Sequence, residues 1–229
     1  MGDDLAGALT RLDEITRRLR KDCPWDREQD ERSIVPHTVE EAYELADAAH
    51  SGDDAKLLDE LGDVLFQVYF LALLLEERGR GDLAAVAEGC REKLIRRHPH
   101  VFGDRAAETA GDVLRNWNEI KRQDERGGAI FGDLPENLPA TLYARKIQRR
   151  GESAGFGGRH AGEALAEVRR SCDGFYSTGW DSDERSFEEI GRLLFAAVEA
   201  AGALGVDPEI ALRRQAGRRR AEIEEADPR

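Results

Sequence analysis

The chain has 229 residues, enough for one large or two small domains. Its formal net charge of −13 argues against sequence-independent nucleic-acid binding and against anionic membranes as partners. Three widely spaced cysteines, Cys23, Cys90 and Cys172, form no CxxC pair, which points to reduced thiols, a cytoplasmic setting and no structural zinc.

The start, Met1-Gly2-Asp3-Asp4, is acidic and no apolar run follows, so no signal peptide is expected. Leu5, Leu9, Leu12, Ile15 and Leu19 recur at helical spacing and predict a helix over 5–21. Helices follow over about 36–50, 54–78 and 82–97, the last stopped by Pro99. The longest apolar stretch, about Val64 to Leu75, is interrupted by Gln67 and is too short to span a bilayer. Another helix is predicted over about 108–125, ending before Gly127-Gly128. The stretch 127–139 carries Gly127-Gly128, Gly132-Asp133, Pro135 and Pro139 and reads as a boundary. Beyond it come helices near 138–151, 161–174, 185–204 and 207–226, with the loop Gly155-Phe156-Gly157-Gly158 after the first. No β-alternating run is convincing, so the fold class is all-α. The run Phe187 to Phe195 (FEEIGRLLF) echoes Leu58 to Phe66 (LDELGDVLF) and predicts an internal repeat, with Arg192 at the place of Asp63.

The most informative segment is a helical hairpin. Ser51-Gly52-Asp53-Asp54 is a turn signal with a helix N-cap, and both flanks read as helix. Glu44 and Glu60 each lie eight residues from Gly52, and Glu41 and Asp63 each lie eleven. At about 1.5 Å rise per residue, antiparallel helices set Glu44 level with Glu60 and Glu41 level with Asp63. Within each helix the spacing is i, i+3, so each pair shares a face. Four carboxylates therefore converge. Two like charges ~4 Å apart repel by about 4 kcal/mol at an effective dielectric of 20. Protonation or a hard cation relieves this, and an all-oxygen set suits Mg²⁺, with Mn²⁺ as a substitute. The alternative is a solvated acidic face. Leu57, Leu58, Leu61, Val64, Leu65, Val68, Leu71 and Leu75 argue against it, because acids bordering such a stripe are partly buried.

Lys93 and Arg97 stand four apart with Arg96 beside them, on the helix after the hairpin. Such a pair suits a polyphosphate. Taken alone it is better read as cations favoured by a helix C-terminus, and the acidic cluster reverses that preference. His98-Pro99-His100 reads as a helix stop rather than a metal site. Asp47-x-x-His50 is one residue type away from Glu-x-x-His, which occurs nowhere in the chain and so counts against a di-iron carboxylate protein. Trp25 reads as core, and Trp117 equally as core or as a base-stacking residue. Arg213-Arg214 and Arg218-Arg219-Arg220 read as a solvated helix.

Taken together these residues resemble the MazG family of nucleoside triphosphate pyrophosphohydrolases. The resemblance rests on Leu19 to Gln29 (LRKDCPWDREQ), the EExxE of Glu40 to Glu44, the ExxD of Glu60 to Asp63, and Lys93 to Phe102 (KLIRRHPHVF). It continues through Asn116 to Lys121 (NWNEIK), Leu138-Pro139-Ala140 and Gly155-Phe156. The family usually has Thr-His after the position of Gln29, where this chain has Asp30-Glu31. The resemblance implies an all-α MazG-like bundle in tandem copies, a homodimer, and a Mg²⁺ enzyme converting NTP or dNTP and water to the monophosphate and pyrophosphate. It implies Glu41, Glu44, Glu60 and Asp63 as metal ligands, with Glu40 or Glu41 accepting the proton. Lys93, Arg96 and Arg97 are implied at the phosphates, and Lys56, Trp117 and Lys121 as further nucleotide contacts. The expected division is a catalytic domain over 1–126, a linker over 127–140 and a degenerate copy over 141–229. Aligning the echo back from Glu189 sets Ser171 and Gly174 where the paired glutamates would stand, and Glu222 where the family arginine belongs, while Arg218 matches the family lysine. Two rivals remain at the level of sequence. One is phosphoribosyl-ATP pyrophosphohydrolase, opposed by the CPWD and RRHPHVF segments. The other is a non-catalytic helical scaffold, opposed by the four intact carboxylates.

Overall fold

The computed structural model describes residues 2–124, 130–131, 134–135, 137–177 and 183–227. Among them every regular element is a helix. The chain divides into two compact units, one ending at Arg96 and one beginning at Arg97. The predicted turn residues Gly127-Gly128 and Gly132-Asp133 lie outside the described residues.

The first unit is built on a hairpin of α3 (Glu31–Ser51) and α4 (Asp54–Glu77), preceded by α1 (Gly2–Asp22) and the short α2 (Pro24–Glu28) and followed by α5 (Leu83–Arg97). Gly52 closes α3 with φ +74°, a left-handed conformation that a side chain would strain. Asp53 then caps α4 by accepting from the Ala55 and Lys56 amides. The sequence placed the start of α3 near Pro36, and the structure places it five residues earlier. Asp30 accepts from the Arg32 and Ser33 amides while the Ser33 hydroxyl accepts from the Asp30 amide. This reciprocal cap is worth about 1 kcal/mol. Pro36 therefore sits inside the helix, two residues beyond the amide of Ile34 that makes the first intrahelical bond. Its missing N–H leaves one carbonyl near the helix start without an intrahelical donor, a smaller loss than in mid-helix.

The core of this unit is Ile34, Phe70 and Leu74, with Phe66 and Leu71 packed against them. Ile34 is 1% exposed and Phe70 0%. Helix α1 lies along α4 and is tied to it by two forked ion pairs, Arg17 to Glu76 (3.0 and 2.6 Å) and Arg20 to Glu77 (2.8 and 2.8 Å). Arg20 also donates to the Asp26 and Gln29 carbonyls, which anchors the α2 segment. Trp25, expected in the core, is instead 50% exposed, its ring set edge-on to His37 at 5.5 Å between centroids. The reason is local: Pro24 opens a five-residue helix whose buried side chain is Asp26, so the indole faces outward.

The second unit holds α6 (Pro99–Phe102), α7 (Ala110–Asp124), α8 (Ala140–Ser153), α9 (Ala161–Ser177), α10 (Asp183–Ala203) and α11 (Pro208–Ala226). Helices α9 and α10 form its principal pair, with α8 and α11 against α10. Its buried residues, among those described, are small: Ala164, Ala196, Val198, Ala200 and Pro208. Leu194, Phe195 and Leu204 are exposed on the single chain, Leu193 is half-buried and Val198 is buried.

Candidate metal centre

The mirror spacing about Gly52 sets the α3 and α4 acids opposite one another. Glu41, Glu60 and Asp63 offer carboxylate oxygens that all lie within 4.8 Å of one another. Glu60 is buried, at 7% exposure, Glu41 is half-buried and Asp63 is exposed. Glu60 is buried as the sequence suggested, but Asp63 is not, and Leu58, Leu61, Leu65 and Val68 of the flanking stripe are themselves exposed.

The electrostatics follow from this crowding. Burial pushes the Glu41 carboxyl up, and the charges of Asp63, Glu44, Glu60 and Glu40 add to the effect. Burial likewise pushes Glu60 up, followed by Glu44; Lys56 opposes, and Asp59 and Asp63 add. Glu44 stands outside the group of three, yet its charge acts on both Glu41 and Glu60. Lys56, one turn before Glu60 on α4, is the cation that offsets Glu60. Glu40 is mostly exposed, and its carboxylate lies 3.8 Å from His37 Nδ1. An oxygen-only group short of counter-charge fits a hard divalent cation.

A pH effect follows. Both carboxyls are raised above their unfolded value of about 4.3. Their contribution to metal-free stability is full below that value and is lost as pH rises through the raised folded pKa. The melting temperature of metal-free wild type should therefore fall behind that of Glu60→Gln as pH rises from 4.5 to 7. Paired thermal melts across that range check this. A gap constant with pH would contradict it.

Of the remaining expected residues, Lys93 and Arg96 are exposed near the end of α5, a helix with no buried residue. Arg97, Trp117 and Lys121 belong to the second unit. There the Arg97 guanidinium lies over the Trp117 ring at 5.5 Å, and the His98 ring meets Trp117 edge-on at 4.8 Å. His98 caps no amide with its side chain and opens the four-residue α6. Sequence reading missed the pair Thr38 and Gln67, whose side chains meet between α3 and α4 at 3.1 Å. The polar break at Gln67 in the apolar stretch was the available signal.

In the second unit α9 and α10 pair, and different side chains meet between them. A Cβ on Gly174 would lie 3.9 Å from Glu189 Oε2, so Gly174 faces Glu189 across the pair. Arg192 donates to Glu189 at 2.8 Å. Ser171 and Arg192 line one cavity, where Arg159 pairs with Glu199.

Comparison with known proteins places these features. Residues 29–102, which contain the whole acidic hairpin, match the family model described as the MazG nucleotide pyrophosphohydrolase domain. The chain is 40% identical over 215 residues to the nucleoside triphosphate pyrophosphohydrolase of Escherichia coli K12, covering 90% of this chain and 82% of that one. It is 37% identical over 205 residues to the nucleoside triphosphate pyrophosphohydrolase/pyrophosphatase MazG of Thermotoga maritima, covering 87% and 78%. A crystal structure of a mazG-related protein from Thermotoga maritima aligns at a TM-score of 0.43 and 26% identity, over 49% of this chain and 98% of that one. The hairpin match and the extent of identity together mean that the chain belongs to the MazG nucleotide pyrophosphohydrolase family.

Proposed function

We infer that the activity of this chain, nucleoside triphosphate pyrophosphohydrolysis, is seated at the α3–α4 carboxylates. The chain is a nucleoside triphosphate pyrophosphohydrolase. Water attacks the α-phosphorus, the α–β anhydride bond breaks, and the monophosphate and pyrophosphate leave. The observation that carries the assignment of the site is the convergence of Glu41, Glu60 and Asp63 within 4.8 Å, inside the matched segment.

Glu41, Glu44, Glu60 and Asp63 would hold Mg²⁺, with Mn²⁺ able to replace it. The bound cation supplies charge for the phosphate oxygens and acidifies water. Glu41 or the more exposed Glu40 accepts the proton of the attacking water. Lys93, Arg96 and Arg97 offset the charge that develops on pyrophosphate. Lys56 and Lys121 add cationic contacts, and Trp117 takes the base. The role is removal of surplus or aberrant nucleotides. In ¹⁸O-labelled water the label should enter the monophosphate. Label in inorganic phosphate, with a diphosphate as co-product, would exclude attack at the α-phosphorus.

We assign catalysis to residues 1–126, a linker to 127–140 and a degenerate copy to 141–229. Support for the last comes from Gly174 opposite Glu189 and from Arg192 paired with the same Glu189. Here Arg192 neutralises Glu189, and among the described residues no group of acids close enough to hold a metal ion occurs in this half. Turnover of Glu189→Gln should stay within about twofold of wild type, because Glu189 lies outside the proposed chemistry and Gln keeps its shape. A tenfold loss in steady-state pyrophosphate release would place chemistry in the second half.

The active form is a homodimer. Its support is the stripe Leu58, Leu61, Leu65 and Val68 on α4, which is exposed on the single chain and needs a cover.

A further inference from the structure

The hairpin is layered. Counting from Gly52, Glu41 and Asp63 share one level, and Ile34 and Phe70, each eighteen residues from Gly52, share the fully buried level farther along. Between the two lies the pair Thr38 and Gln67. The Thr38 hydroxyl stands 3.1 Å from Gln67 Oε1 and 3.3 Å from the Ile34 carbonyl of its own helix. Gln67 is 5% exposed. Thr38 is three residues before Glu41 on α3, and Gln67 is four residues after Asp63 on α4. Each is therefore one turn from a carboxylate and on the same stripe of its helix.

A buried amide is costly to place in a core unless it is hydrogen-bonded, and an apolar pair would fill the same space without that demand. What an apolar pair cannot supply is direction. Hydrophobic contacts tolerate small slides of one helix along another, whereas a hydrogen bond fixes both distance and angle. The acids come from two different helices, so their mutual spacing depends on that slide. Mg²⁺ requires near-octahedral oxygen ligands at about 2.0–2.1 Å.

We propose that Thr38 and Gln67 are positioning residues for the cation site: their hydrogen bond pins α3 to α4 one turn beneath the carboxylates and fixes Glu41 against Asp63. The proposal rests on the metal reading given above. The test is Mn²⁺ binding to the full chain, followed by electron paramagnetic resonance of the free ion. Wild type, Glu60→Gln, Thr38→Val, Thr38→Ser, Gln67→Leu and the Thr38→Val/Gln67→Leu double variant are compared, with metal-free melts of each. Thr38→Val and Gln67→Leu should each weaken Mn²⁺ binding about tenfold, in the range seen for groups that orient metal ligands. Thr38→Ser, which keeps the hydroxyl, should bind like wild type. The double variant should be no worse than either single one, because one bond is lost in all three. The metal-free melting temperature of the double variant should hold, since two apolar side chains replace a hydrogen-bonded pair, whereas Thr38→Val and Gln67→Leu alone each leave one partner unsatisfied and should melt lower. Wild-type affinity in Thr38→Val and Gln67→Leu, with Glu60→Gln impaired, would overturn the positioning role and leave the metal reading standing. So would losses that multiply in the double variant. No Mn²⁺ uptake by wild type, or full uptake by Glu60→Gln, would overturn the metal reading and this proposal with it.

Discussion

Replacing Glu60 by Gln should cut turnover on the order of 100-fold or more while leaving the helical fold intact, because the loss falls on charge stabilisation and not on packing. Glu60 is the most deeply placed member of the cluster, and Gln keeps its shape and removes its charge. The same reasoning extends to Glu41→Gln, Glu44→Gln and Asp63→Asn. The measurements are pyrophosphate release at saturating Mg²⁺ and circular dichroism of each variant. Stability should move the other way from activity. Metal-free Glu60→Gln should melt no lower than metal-free wild type, since it removes a buried charge crowded by Glu44, Asp59 and Asp63. Wild-type turnover in two or more of the four variants would mean that the carboxylates do not hold the cation.

Phe70→Ala should do the reverse, leaving the acids in place and dismantling what carries them. Phe70 is fully buried against Ile34 and Leu74, its ring 5.9 Å from that of Phe66 and 5.8 Å beneath the Arg20 guanidinium. Loss of such a side chain costs about 3–5 kcal/mol. Domains are stable by only about 5–15 kcal/mol. The transition reporting the first unit should therefore drop by at least about 12 °C. A thermal melt with unchanged midpoint would show that this cluster is not the core of the unit. At low temperature the folded fraction should still turn over substrate, which separates this variant from the carboxylate series.

The hairpin was legible because helical rise is constant. A count from Gly52 fixes which acids are level, and no tertiary information is needed. The burial of Glu60 was expected from the apolar residues flanking it, although Leu58 and Leu61 beside it are themselves exposed. The exposure of Asp63, three residues on, was not, because it depends on what packs over that face. The start of α3 was misplaced because Pro36 looks like a first helical residue. The stronger signal was the reciprocal Asp30–Ser33 cap, in which neither residue is the usual Ser or Thr followed by Glu or Gln. Trp25 was misjudged for a related reason: size suggests core, but a five-residue helix cannot bury both Asp26 and the indole. Thr38 was invisible because a polar break such as Gln67 does not announce its partner. The mirror count supplies it, since Thr38 lies fourteen residues before Gly52 and Gln67 fifteen after.

On the proposed reading of residues 141–229 as a degenerate copy, the Glu189–Arg192 pair acts as a one-way catch. Returning Arg192 to an acid would set two negative side chains next to each other, facing Gly174 and without enough oxygens to attract a cation. Restoring an acid at 174 alone would aim it at Glu189, whose partner Arg192 is already engaged. Every single step back toward a working centre is therefore uphill, and only a concerted change of several positions would be rewarded. On that reading, a half of the molecule that holds an internal ion pair in place of a cation is easy to keep silent and hard to reawaken.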